Sequence, residues 1–270
     1  MNRCLFYILA SNVCVACLIF CVLAIFFTYK PDIDVRKEVR LVKEDYSESY
    51  LMEAKERVRL SKALDRSFRM PLNPFQLSPE YVLIHFSQDG RKHRLFIHRT
   101  ARIGWDEKGR AFSLSGSLCR LLDNGIINLE NIISERYGEL VPWAKAEKIF
   151  RIYDKAMITD VETRKSFWVQ RRAGTNHADV QPLTARDSHI MKSIYKGKWS
   201  WERRAIIVVV RGRRMAASMN GMPHGAGAIK DNDFPGHFCI HFLGSKTHAG
   251  NRVDPKHQAM VLKAAGRTKP

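Results

Sequence analysis

Twenty-three consecutive residues without a charge, Leu5 to Phe27, limit what the amino-terminal end of this chain can become. A helix of that length rises roughly 35 Å, enough to cross a bilayer core with some tilt. A cleaved leader has a shorter apolar core and a small-residue cleavage site, and the stretch Ala24 to Lys30, AIFFTYK, offers none. The run therefore predicts an uncleaved single-pass transmembrane anchor over residues 1–30, holding the protein at the cell membrane through residues 5–27. Charge alone argues for a cytoplasmic C-terminal side, because Arg3 precedes the run whereas Lys30, Arg36, Lys37, Arg40 and Lys43 follow it. Long domains cross membranes despite such charges, so the chemistry of the remaining residues has to settle the side.

Those residues carry an unusual balance. Forty-five Lys and Arg against 27 Asp and Glu leave a net charge of +18, which favours anionic surroundings: nucleic acid, anionic lipid or an acidic cell wall. Six cysteines in 270 residues exclude a disulfide-dense scaffold. Four of them (Cys4, Cys14, Cys17, Cys21) lie in or beside the apolar run, which leaves Cys119 and Cys239 for the rest of the chain.

Past the anchor, residues 31–77 read as a helical stalk. Leu60, Leu64 and Phe68 continue a stripe begun by Leu51, Ala54 and Val58, and Pro71 and Pro74 end it. Residues 78–145 read as a small α+β module. YVLIHF and RKHRLFIHR form a hairpin turning at Asp89-Gly90, and two helices follow, the first stopping at Asn124-Gly125. Residues 146–270 read as a mainly β domain, with KIFRIYD, KSFWVQRR and AIIVVV as strands and a hairpin turning at Arg211-Gly212-Arg213. One helix, capped by Thr184, interrupts them. After Asn220 comes irregular, glycine-punctuated backbone, the kind of segment on which sites are built.

That segment gathers His224, His237, Cys239, His241 and His248 within 25 residues. A thiol becomes a nucleophile when a nearby imidazole takes its proton. In a strand, residues two apart share a face, so His237, Cys239 and His241 line one surface, with His224 and Gly225 arriving from the preceding loop.

Met222-Pro-His224-Gly225 followed by Gly236-His237-Phe238-Cys239-Ile240-His241 resembles the L,D-transpeptidase signature, a His-Gly, an intervening loop and then Ser-His-Gly-Cys-Ile-Arg. The resemblance implies a β-sandwich-like catalytic domain over residues 146–270 that acts outside the cytoplasm on peptidoglycan stem peptides. It implies Cys239 as acyl-accepting nucleophile, His224 or His237 as its base, and the other histidine with backbone amides as oxyanion support. Substrate contacts are expected at Gly225, Gly236, His241 and Trp201, and no cofactor is required. Three positions depart from the signature: Gly236 replaces Ser, Phe238 replaces Gly and His241 replaces Arg.

Two other readings stay open. His177 and Asp179 form a His-x-Asp pair that, with His237, His241 or His248 and with Cys239 as a further ligand type, offers the donors of a zinc-dependent cell-wall peptidase. A non-catalytic module gripping peptidoglycan fits the same charge. His248 reads as a surface loop residue. No nucleic-acid partner is expected, since the chain has neither zinc-finger spacing nor an aromatic RNA-binding signature.

Overall fold

The computed structural model describes residues 38–86, 91–248 and 250–268. These divide into two compact units. The first takes in the described residues up to Glu44 together with Glu48–Glu130, and the second Asp45–Ser47 together with the described residues from Asn131.

In the first unit, strands β1 (Val39–Lys43), β2 (Ser49–Leu51), β3 (Arg69–Met70), β4 (Tyr81–Phe86), β5 (Lys92–His98), β6 (Ile103–Asp106) and β7 (Ala111–Ser113) form one antiparallel sheet in the order β2-β1-β4-β5-β6-β7-β3. The expected β4–β5 hairpin pairs from Tyr81↔Ile97 to Phe86↔Lys92, while its turn lies outside the described residues. The helical stalk is corrected by this sheet. Val39 and Leu41 are buried at a spacing of two, the period of a strand, and among the described residues of that region only α1 (Ala54–Leu64) is α-helical. Leu60 and Leu64 of the supposed stripe are buried, but Val58 and Phe68 face solvent at 54% and 61% exposure.

Two expected helices are one, α2 (Gly116–Arg136), which passes straight through Asn124-Gly125. Gly125 is a packing residue there. A Cβ on it would lie 3.2 Å from a Leu41 methyl, tighter than ordinary contact. Among the described residues no helix is long and apolar enough to cross a membrane, so the described fold contains no transmembrane helix. The expected anchor, residues 5–27, lies outside the described residues.

The second unit corrects the β-sandwich. Strands β8 (Lys155–Asp160), β9 (Ser166–Ala173), β10 (Ala178–Pro182), β11 (Arg204–Val210), β12 (Arg213–Met219) and β13 (Phe238–His241) close into a six-stranded antiparallel barrel ordered β10-β13-β12-β11-β8-β9. Closure comes from β10, which pairs with β9 on one side and β13 on the other and leaves no open edge. Alternate residues fill the interior, among them Ile158, Val169, Val180, Val208, Ala217, Phe238 and Ile240. The chain is therefore mixed α/β, an antiparallel sheet and a closed barrel with helices.

KIFRIYD is not a strand. It ends helix α3 (Trp143–Ile149), where Ala146 and Phe150, four apart, are both fully buried. Helix α4 (Ala185–Ile194) starts at Thr184 as expected. The Thr184 hydroxyl accepts from the Asp187 N–H, and Asp187 caps Thr184 in return. The β11–β12 hairpin turns at Arg211 and Gly212, with φ of 50° and 74°, the pair of left-handed residues that a tight two-residue turn needs. Helix α5 (Pro255–Ala264), absent from the sequence reading, is capped by Asp254 and packs on β11 and β12.

Candidate active site

Barrel closure builds the site. Asp179 of β10 and Cys239 of β13 are direct partners in antiparallel register. Their neighbours Ala178, Val180, Phe238 and Ile240 turn into the core, so His177, Asp179, Cys239 and His241 share the opposite face. The two constellations that the sequence offers, a thiol set and a His-x-Asp pair, are thus one site. Cys239 stands on a strand, where its predecessor Phe238 fills the core against Phe167 and Phe234.

The remaining side chains arrive on the loop between β12 and β13. His224 and His237 exchange both backbone hydrogen bonds, His224 N–H to the His237 carbonyl at 3.0 Å and the reverse at 2.9 Å. The glycines beside them serve this bridge. Gly225 and Gly236 adopt φ of 60° and 123°, and a Cβ on Gly236 would meet the His224 carbonyl oxygen at 2.5 Å. Gln181 of β10 pins the same loop: its Oε1 accepts from the N–H groups of Ala228 (2.8 Å) and Ile229 (3.1 Å), and its Nε2 donates to the Ile229 carbonyl (3.2 Å).

Within this frame His224 Nε2 lies 3.2 Å from Cys239 Sγ, and His224 Nδ1 donates to the Met222 carbonyl at 2.8 Å. His237 Nδ1 donates likewise to the Ala226 carbonyl (2.9 Å) and His177 Nδ1 to the Lys246 carbonyl (2.6 Å). All three imidazoles spend Nδ1 on the backbone and keep Nε2 for the site. His177 Nε2 is 3.2 Å and His237 Nε2 3.8 Å from Asp179 Oδ1, and Cys239 Sγ is 3.9 Å from the same oxygen.

The electrostatics follow from this crowd. Burial works against ionising Cys239, but the His177 and His224 imidazoles outweigh it and bring the thiol below its ordinary value. His224 is raised by its bond to Cys239 against the effect of burial. His177 is depressed by burial, yet Asp179 and Cys239 carry it up to about 10. Asp179 would be raised by burial, but its imidazole neighbours hold it below the usual carboxylate range. The site thus sets a thiol of lowered pKa against imidazoles of raised pKa, with a carboxylate held low beside them.

No family model, curated protein or solved structure matches the chain.

His241, expected at the substrate, is instead buried behind the thiol. Its ring stacks between His177 (4.4 Å) and His257 of α5 (3.8 Å), and His257 Nδ1 lies 2.8 Å from the Ser218 hydroxyl. Burial, then the neighbouring cationic charge, lowers His241 to about 2 and His257 to about 3, so both are neutral at working pH. Trp201 is half exposed, its ring 5.0 Å from that of His224. A cavity of about 560 Å³ opens beside it, lined also by Arg203, Lys256 and Met260. His248, read as a loop residue, reaches Asp179 with Nε2 3.4 Å from both carboxylate oxygens. In the sequence it is also one of three histidines able to join the His177–Asp179 pair. His257 has no such signal, since its role depends on where α5 packs.

Proposed function

We propose that this protein is a cysteine acyltransferase of the L,D-transpeptidase type, acting outside the cytoplasm on peptidoglycan stem peptides through a thioester on Cys239. The observation that carries this reading is the 3.2 Å contact between Cys239 Sγ and an imidazole whose other nitrogen is fixed on the backbone. It is the nucleophile–base pair of acyl transfer, and the tether on Met222 keeps the base aimed. The His224-Gly225 and His237-x-Cys239 spacing supports the same class.

The Cys239 thiolate attacks the donor carbonyl carbon, forming a C–S bond. The tetrahedral intermediate collapses with cleavage of the peptide C–N bond, and the leaving amine takes a proton from the His224 imidazolium. An acceptor amine, or water, then attacks the thioester and gives its proton back to His224, and the thiolate departs. His177 and Asp179 hold the charge of the ion pair rather than touch the substrate. With His241 buried, recognition of a substrate carboxylate falls to the basic groove beside Trp201, where Arg203 and Lys256 stand. Trp201 supplies an apolar wall between that groove and His224.

The test is an intact-mass measurement of the full chain, chelator-treated and exposed to a tetrapeptide stem donor, beside Cys239→Ala. An adduct equal to the donor acyl group in wild type and absent from Cys239→Ala is expected. A donor that emerges untouched, or one trimmed equally by Cys239→Ala, overturns the thioester.

A further inference from the structure

Three atoms at the mouth of this site meet with the spacing of a metal's ligands. His177 Nε2 is 3.2 Å from Asp179 Oδ1, His248 Nε2 is 3.4 Å from Asp179 Oδ1 and Oδ2, and all three groups place a ligand atom within 4.8 Å of one another. A tetrahedral Zn²⁺ with bonds of about 2.0–2.1 Å holds adjacent ligand atoms about 3.3–3.4 Å apart. Both contacts to Asp179 match that spacing.

A second observation points the same way. His177 is 2% exposed, and its Nε2 makes no directional hydrogen bond among the described residues although it is buried against Asp179. A buried ring nitrogen without a directional hydrogen bond is costly. Its Nδ1 donates to the Lys246 carbonyl, the outer contact that metal-bound imidazoles use to fix their tautomer. Cys239 Sγ stands 3.9 Å from Asp179 Oδ1, so the sulfur lies beside the same carboxylate. His248, with its side chain 53% exposed, gives an ion a route in from solvent.

We propose that His177, Asp179 and His248 form a binding site for Zn²⁺, with the Cys239 sulfur closing the fourth position, so that the cation reversibly blocks the thiol. Metal ligands bind in their deprotonated forms, so the ion's entry releases whatever protons the imidazoles and the thiol carry. Of the three histidines that the sequence offers to complete the His177–Asp179 pair, this selects His248. His237 serves the His224 bridge and His241 the buried ring stack. The blocking role rests on the thiol reading above, whereas the cation site itself does not.

The experiment uses the full chain, stripped with chelator and titrated with Zn²⁺ alone, and in parallel with Co²⁺ as a spectroscopic probe. Wild type is expected to hold one equivalent, with tetrahedral cobalt bands and a thiolate-to-cobalt charge-transfer band that Cys239→Ser lacks. His248→Ala, at an exposed position that leaves the barrel intact, is expected to bind at least about tenfold more weakly, since even outer-shell partners are worth about 10–100-fold. Asp179→Asn provides a second ligand variant of unchanged shape. Zinc should slow iodoacetamide alkylation of Cys239 in wild type, and chelator should restore it. Equal zinc retention by wild type and both ligand variants, or alkylation unmoved by bound zinc, overturns the proposal. The readouts are metal content and thiol reactivity, so they stand apart from the donor adduct, measured without metal, on which the thioester depends.

Discussion

Asp179 and Cys239 sit opposite each other on the two strands that close the barrel, with Oδ1 and Sγ 3.9 Å apart. Neither residue comes near the other until β10 meets β13. The nucleophile's surroundings are therefore a product of closure, and local damage to the barrel seam should be read in the thiol's chemistry.

The ion pair predicts the pH course of alkylation. Because His224 and His177 hold Cys239 below its ordinary pKa, wild-type reactivity should persist at pH values where a free thiol has largely reprotonated. In His224→Ala the midpoint should move upward, with the rate at pH 7 clearly reduced while the rates at high pH converge. Coincident profiles for the two proteins would sink the assignment of His224.

The paired glycines predict an unequal cost for one chemical change. Gly244 and Gly236 both have positive φ, but a Cβ on Gly244 meets nothing within 4 Å whereas one on Gly236 collides with the His224 backbone. Gly244→Ala should cost about 1–2 kcal/mol from backbone strain alone. Gly236→Ala should cost more, up to about 3 kcal/mol, and should also slow Cys239 alkylation by displacing His224. Urea unfolding and alkylation rates on the two variants check this, and equal thiol rates in both would refute it.

The stacked rings predict a loss of stability toward acid. Folded His241 and His257 are lowered to about 2 and about 3, whereas in the unfolded chain they take up protons near pH 6.5. Below that pH the unfolded state binds more protons, so stability is fully present above pH 6.5 and falls as pH drops toward the folded values. Each ring adds about 1.4 kcal/mol per pH unit to the slope. His257 is faced by His241, His177, Arg203 and Asp254, of which only Asp254 favours its protonation. Urea unfolding at pH 6.5, 5.5 and 4.5 should show the decline, made shallower in His257→Gln. A flat wild-type profile would contradict it.

What could be read from the chain was what neighbours in sequence decide. The Thr184 cap, the Arg211-Gly212 turn, the strand through Ile206 and Val208 and the shared face of Cys239 and His241 depend on spacings of a few residues. KIFRIYD has the composition of a strand, but burial of Ala146 and Phe150 together requires a helix, and only the packed barrel supplies that burial. The sandwich expectation failed for a related reason. Whether six strands stay open or close depends on β10, five residues ending in Pro182, whose second partner lies some 60 positions further along. His248 looked like a loop residue because it is one, and the carboxylate it reaches is remote in sequence. The stalk was misread because Val39 and Leu41 show their period only over a five-residue strand.

One side chain gives the loop above the thiol its mechanical character. Gln181 is a barrel residue that holds two amides and one carbonyl of the loop at once, and the His224–His237 bridge begins only a few residues away. That grip ties the loop carrying the base to the barrel wall at three points. Loss of Gln181's amide should therefore lower the hydrogen-exchange protection of Ala228 and Ile229 together.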